Sequence, residues 1–182
     1  MNICKTFGIC VAICVLPLGG CSSDLQGPSD PKEQVMLGDQ YSDGDGVPQD
    51  YAAAVKWYRL AAEQGERLAN YKLGVMYRDG QFVPQDYKEA VKGFRMAVEW
   101  GIAEAERDLG AMYENGHGVP QDDSEAVNWY RQAAYKGDEK AQFDLGRMYA
   151  NGTWVPQDMV EAYAWFSIAA DGGYTNAVKR RD

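Results

Sequence analysis

The sequence predicts an all-α fold, a solenoid of four stacked helix-turn-helix repeats. Two observations carry this. The tetrapeptide Val-Pro-Gln-Asp occurs at Val47–Asp50, Val83–Asp86, Val119–Asp122 and Val155–Asp158, always 36 residues apart, and a fixed period of this size marks stacked repeats. Eleven of the 36 positions hold one residue type in all four units, among them Leu37, Gly38, Tyr41, Gly44, Ala54, Ala61 and Gly65 of the first.

Residues 1–20 read as a secretory signal. Lys5 supplies the positive start, Thr6 to Leu18 is almost wholly apolar, and the run is shorter than the roughly 20 residues that span a bilayer. Leu18-Gly19-Gly20-Cys21 resembles the bacterial lipobox. That resemblance implies cleavage before Cys21, lipidation of its sulfur and acylation of the new amino group. More than one acyl chain is what holds a protein stably on a membrane. Ser22, rather than an aspartate, follows the cysteine and resembles an outer-membrane address. Residues 21–30 then read as a polar tether.

The repeats are bounded at 31–66, 67–102, 103–138 and 139–174. In each, the first helix opens the unit; in the first unit Asp30, Pro31 and Glu33 give cap, first-turn proline and an acid three residues on. Gly38, Gly74, Gly110 and Gly146 recur mid-helix, where glycine is unfavourable by about 1 kcal/mol against alanine, so another backbone is expected to approach closely there. An Asp-Gly or Asn-Gly pair ends the helix. Val-Pro-Gln-Asp joins it to the second helix: the proline holds the valine extended and the aspartate caps. Glu89, Glu125 and Glu161 sit where they would complete capping boxes. The second helix carries an apolar stripe, in the first unit Ala54, Val55, Trp57, Tyr58, Ala61 and Ala62. Such short helices are marginal alone and need the stack. Residues 175–182 begin a fifth unit, with Ala177 in the slot of Ala69, Ala105 and Ala141, and read as a short C-terminal cap.

Composition narrows the function. The 182 residues carry a net charge of −9, which argues against nucleic acid as a partner. Cys4, Cys10, Cys14 and Cys21 all precede the repeats. The repeat body therefore holds no disulfide, thiolate nucleophile or cysteine ligand. One histidine, His117, cannot build a histidine-rich metal site. It is expected to be a solvated turn residue, and neither cofactor nor metal is expected.

Leu-Gly, Tyr, Asx-Gly, Val-Pro-Gln-Asp, Ala-Val-x-Trp-Tyr and Ala-Ala-x-x-Gly at this period resemble the Sel1-like repeat, a relative of the tetratricopeptide repeat, over residues 31–174. The resemblance implies a right-handed α-solenoid that acts as a protein-interaction scaffold rather than an enzyme. It also implies that the first helices line the concave side. Their variable positions, Tyr71, Lys72, Val75, Arg78, Arg107, Asp108, Glu114, Asp144 and Arg147, form the candidate partner-binding strip. Phe82 and Trp154, which replace the turn glycines Gly46 and Gly118, are candidate aromatic anchors. Gly93 stands where the other units have Trp57, Trp129 and Trp165; Trp100 is expected to refill that gap in part.

The functional expectation is a monomeric, lipid-anchored protein on the outer membrane, facing the periplasm and binding a protein partner. Family lipoproteins include immunity proteins that neutralise toxic effectors. A peptidoglycan or glycan binder is one alternative. A β-lactam-hydrolysing enzyme is another, set against the lack here of the paired cysteines that such family members carry in each repeat.

Overall fold

The computed structural model describes residues 27–80 and 83–181, and the described residues form nine helices and no strand. They are α1 (Pro31–Asp43), α2 (Tyr51–Glu63), α3 (Arg67–Asp79), α4 (Tyr87–Val98), α5 (Ala103–Asn115), α6 (Asp123–Tyr135), α7 (Glu139–Asn151), α8 (Met159–Asp171) and α9 (Thr175–Arg181). Extensive helix–helix contacts run only between sequence neighbours, from α1·α2 to α8·α9. The core is accordingly a chain of patches, each shared by adjacent repeats. One gathers Val35, Tyr58 and Met76, the next Phe94, Leu109 and Met112, the third Tyr130, Leu145 and Met148.

The Val-Pro-Gln-Asp joint explains the regularity. Asp50, Asp86, Asp122 and Asp158 cap α2, α4, α6 and α8 through their side chains. Their own N–H groups donate to the carbonyls of Tyr41, Tyr77, Tyr113 and Tyr149 at 2.9–3.0 Å. That bond pre-empts the reciprocal half of the expected capping boxes, because it occupies the N–H that Glu89, Glu125 or Glu161 would accept. The glutamine of the joint acts backwards along the chain. Gln49, Gln85 and Gln157 donate to the carbonyls of Ser42, Arg78 and Ala150, each at 2.8 Å. These carbonyls belong to the last turn of the first helix, which lacks intrahelical partners. The joint thus satisfies the end of one helix and the start of the next.

The mid-helix glycines meet a ring more than a backbone. A Cβ at Gly74 or Gly146 would lie 2.8 or 2.7 Å from the ring of Phe94 or Phe166. At Gly38 and Gly110 the tyrosines Tyr58 and Tyr130 fill the same place. A carbonyl of the partner helix, from Ala90, Ala126 or Ala162, stands 3.2 Å away at three of the four. The slot therefore alternates Tyr, Phe, Tyr, Phe along the stack.

The expectation for Gly93 and Trp100 fails. No gap is left at Gly93, because α4 has closed onto α3: a Cβ there would come 2.7 Å from the Asn70 carbonyl and 3.1 Å from the backbone of Gly74. Trp100 refills nothing; it is 54 % exposed, with the Arg67 guanidinium 4.8 Å over its ring. His117 also departs from its expected role. It is half-buried and stacks on Tyr87 at 4.2 Å and 5°. Gly118 beside it, at φ +74, lies against the Tyr87 carbonyl with no room for a side chain. The turn of one repeat is thereby keyed onto the start of α4 in the repeat before it.

Both ends of the stack are distinct. At the start, Trp57 packs on Gly27, and Gln34 donates to the Pro28 carbonyl at 2.9 Å, so the last residues of the expected tether are docked. At the finish, α9 is a seven-residue counterpart of the thirteen-residue first helices, with Ala177 fully buried.

Candidate functional site

The first helices carry the expected strip, and most of its charges are already matched. Lys72 reaches back to Asp39 at 2.9 Å, and Asp39 also accepts from the Tyr58 hydroxyl at 2.6 Å. Asp108 is the hub of the next junction. It is 5 % exposed and meets Arg78 at 2.9 Å, Arg107 at 3.0 Å and the Tyr71 hydroxyl at 3.2 Å. Burial, then the Asp108 charge, pushes the Tyr71 phenol up to about 12. Arg78 also pairs with Asp79 at 2.6 Å, and Arg107 with Asp138 at 2.8 Å. Val75 is half-buried against the Phe94–Leu109 patch. Residues that sequence alone presents as a free surface are, at the first two junctions, largely staples between repeats.

The third junction differs. Glu114 accepts from the Tyr130 hydroxyl at 2.6 Å, and Asp144 has Arg147 at a long 3.4 Å. Burial raises the Asp144 carboxyl above the usual range; Arg147 opposes the shift, and the Glu114 charge adds to it. Asp144 thus faces one loosely held, exposed guanidinium, Arg147, with the Arg107 charge as a weaker influence. Phe143 stands in the same row, packed at 5.4 Å on Phe166 and 5.2 Å on Tyr174.

Of the two aromatic anchors, Phe82 lies outside the described residues, as does the lipidation site Cys21. Trp154 is 38 % exposed and sits at φ +61, a left-handed conformation that Gly46 and Gly118 adopt at the equivalent positions. In a residue with a Cβ this is strained by about 1–2 kcal/mol.

Two periodic features escaped the sequence reading. Arg59, Arg95 and Arg131 donate to the hydroxyls of Tyr77, Tyr113 and Tyr149 in the following repeat, at 2.6, 2.9 and 2.9 Å. Their signal was a shared register: arginine at one position of three units, with Ser167 in the fourth. The second feature is a row of buried polar residues, Gln34, Asn70, Glu106 and Gln142. Gln34 accepts from Gln64 at 2.8 Å, whereas Glu106, only 1 % exposed, holds Lys136 at 2.6 Å. Here the paired types change together between repeats.

On the second-helix side a cleft of about 530 Å³ lies between α6 and α8. Tyr135, Tyr149 and Trp165 wall it, with Arg131, Gln157 and Glu161 as polar groups. Tyr135 meets Trp165 edge-on at 5.5 Å.

The Sel1 repeat model matches residues 34–66, 67–100, 103–138 and 139–174. The chain belongs to the Sel1-repeat family. It is 39 % identical, with a TM-score of 0.78, to c5321, a protective antigen present in uropathogenic Escherichia coli strains; the match covers 83 % of this chain and 32 % of that one. A Sel1 repeat protein from Oxalobacter formigenes is also 39 % identical at TM-score 0.78, over 82 % of this chain and 61 % of its own. The chain thus spans about a third and three-fifths of these two Sel1-repeat relatives. The immunity protein Pa5087 from Pseudomonas aeruginosa, 22 % identical at TM-score 0.58 over 81 % of this chain and 54 % of its own, shares the fold. No curated protein sequence matches. The Sel1-repeat assignment fixes the architecture as an α-solenoid.

Proposed function

We propose that this Sel1-repeat chain is a non-enzymatic scaffold, held by lipid on Cys21 at the outer membrane and facing the periplasm, that binds a protein partner along its first-helix groove. The observation that carries the binding site is the third junction. Elsewhere in the described groove the strip charges are bonded across repeats, and their release would disrupt the stack. At Asp144 the ion pair to Arg147 is long at 3.4 Å and stays within one helix, while the neighbouring Glu114 adds a second negative charge. A lysine or arginine side chain from the partner would complete this site and strengthen as the groove desolvates. The immunity role is one form of such binding. The likeness to an immunity protein, at 22 % identity, supports the fold beneath that role and no more.

Crosslinking affinity capture of the mature protein from its own envelope tests the proposal. One stoichiometric protein is expected. Asp144→Lys is expected to weaken that complex by about tenfold or more, and acidification that protonates Asp144 should act in the same direction. A complex indifferent to Asp144→Lys and to Glu114→Lys would refute the groove site.

The Tyr135–Trp165 cleft supports a second reading, a saccharide stacked on aromatic walls with Arg131 and Glu161 on its hydroxyls. Purified peptidoglycan should then retain the protein, with Tyr135→Ala abolishing retention. Absence of retention by the unaltered protein rejects this reading.

A further inference from the structure

Trp100 stands just past α4, on the edge of the stack where each second helix turns into the next first helix. The equivalent positions hold Gln64, Lys136 and Gly172. Gln64 and Lys136 bond back into the buried polar row, to Gln34 and Glu106. In the second repeat that row holds Asn70, which donates to the Glu66 carbonyl instead, and the Trp100 ring is turned outward, 54 % exposed under the Arg67 guanidinium. Leu68, beside Arg67, is 40 % exposed. Together with Gly101 and Ile102 it walls a cavity of about 590 Å³ that also takes in Glu104 and Lys136. Tryptophan and arginine each combine an apolar body with a polar tip, the property that places such side chains at a membrane–water boundary.

The chain enters the stack on this same edge. Gly27 packs on Trp57 from the position that Tyr135 holds against Trp165. Gln34 donates to the Pro28 carbonyl at 2.9 Å and accepts from Gln64 at 2.8 Å, so Pro28 lies near Gln64, the residue one repeat before Trp100. Because residues 27–30 are docked, only the six steps from Cys21 to Gly27 remain as a leash, and six residues reach about 20 Å at most. A lipid on Cys21 would therefore hold this edge close to the bilayer surface. No described helix is long and apolar enough to cross a membrane, so the contact available is one of surface. The edge is mixed in charge, with Arg67 and Lys136 among Glu99 and Glu104. That suits a zwitterionic headgroup, its phosphate on the cations and its ammonium on the carboxylates. A strongly anionic surface would repel a chain of net charge −9.

We propose that Leu68, Trp100 and Ile102 rest on the zwitterionic membrane surface that holds the anchor, with Trp100 at the headgroup boundary and Arg67 on a lipid phosphate. The inference rests on the anchoring proposed for Cys21 and adds a second contact to it. The lipid fixes where the chain sits and the patch fixes how it is turned. The Val-Pro-Gln-Asp turns, on the opposite edge, then point away from the bilayer.

Mass spectrometry of the protein purified from its own envelope reads whether Cys21 is acylated. The same protein is then placed in vesicles of phosphatidylethanolamine and phosphatidylcholine with brominated acyl chains, which quench tryptophans that enter the bilayer surface. Quenching is expected for the unaltered protein, lost in Trp100→Phe and weakened in Arg67→Glu. It should persist in Trp154→Phe, whose tryptophan lies on a turn of the opposite edge. Trp100 is mostly exposed, so Trp100→Phe should keep the helical circular-dichroism spectrum. Absence of acyl groups on Cys21 would refute the anchoring and this inference with it. An acylated protein that shows no quenching, or whose quenching survives Trp100→Phe, would refute the patch and leave the anchoring standing.

Discussion

At the scale of single residues, the repeats act as controls for one another. The buried Glu106 pairs with the partly exposed Lys136 where the first repeat has the neutral pair Gln34 and Gln64. Removing the lysine leaves the buried Glu106 carboxylate without its cation, so Lys136→Gln alone is expected to destabilise by about 1–3 kcal/mol. The double substitution Glu106→Gln, Lys136→Gln rebuilds the pairing of the first repeat and should recover most of that loss. Denaturant unfolding of the single and double variants measures the coupling directly. Gly93 offers a second control. Alanine normally gains about 1 kcal/mol over glycine within a helix, but here its Cβ would lie 2.7 Å from the Asn70 carbonyl, on backbone that cannot swing away. Gly93→Ala is therefore expected to lose about 1–3 kcal/mol net, as overpacking does, and a stabilised variant would show that α3 and α4 can separate freely. Sequence comparison between repeats finds the missing tryptophan at this position. It cannot show that the helices have closed, because a glycine opposite a glycine is equally compatible with a void.

At the scale of elements, helix boundaries were legible because their chemistry is local. Proline, aspartate and glycine act on their own few residues, and the caps fall at Asp50, Asp86, Asp122 and Asp158 as their spacing requires. The binding strip was legible in position and misleading in state. Lys72, Arg78, Arg107 and Asp108 vary between repeats as partner-contacting residues would, yet they are already bonded, across repeats in Lys72 with Asp39 and Arg78 with Asp108, and to the far end of its own repeat in Arg107 with Asp138. No local pattern marks such distant pairs. The alternating Tyr and Phe on the second helices report one further bond of this strip: Tyr130 donates to Glu114, whereas Phe94 and Phe166 fill the same slot without a hydroxyl. Tyr130→Phe should therefore pack without strain and lose only the charged hydrogen bond, about 1–2 kcal/mol. Asp144 gives a pH-dependent counterpart. Its carboxyl is raised in the fold, so the fold favours the protonated form. The resulting stabilisation is full below the ordinary carboxylate range and is lost as pH rises through the raised value. Asp144→Asn should consequently stabilise near neutral pH and have little effect in acid, as thermal melts across that range would show.

At the scale of the whole molecule, the core is a row of patches rather than a centre, so stability is a sum over repeats and their junctions. Each internal repeat is held on both sides, by an Arg–Tyr contact behind and ahead and by the groove staples beneath. The last is held on one side and covered by a seven-residue helix. Opening should therefore begin at α9 and α8 and pass inward, while α3 to α6 open last. Native-state hydrogen exchange reads this gradient amide by amide. The highest opening free energies are expected in α4 and α5 and the lowest in α9 and the first turns of α8. Uniform protection from α2 to α8 would mean that the stack opens as one unit and that its C-terminal end is no weaker than its middle.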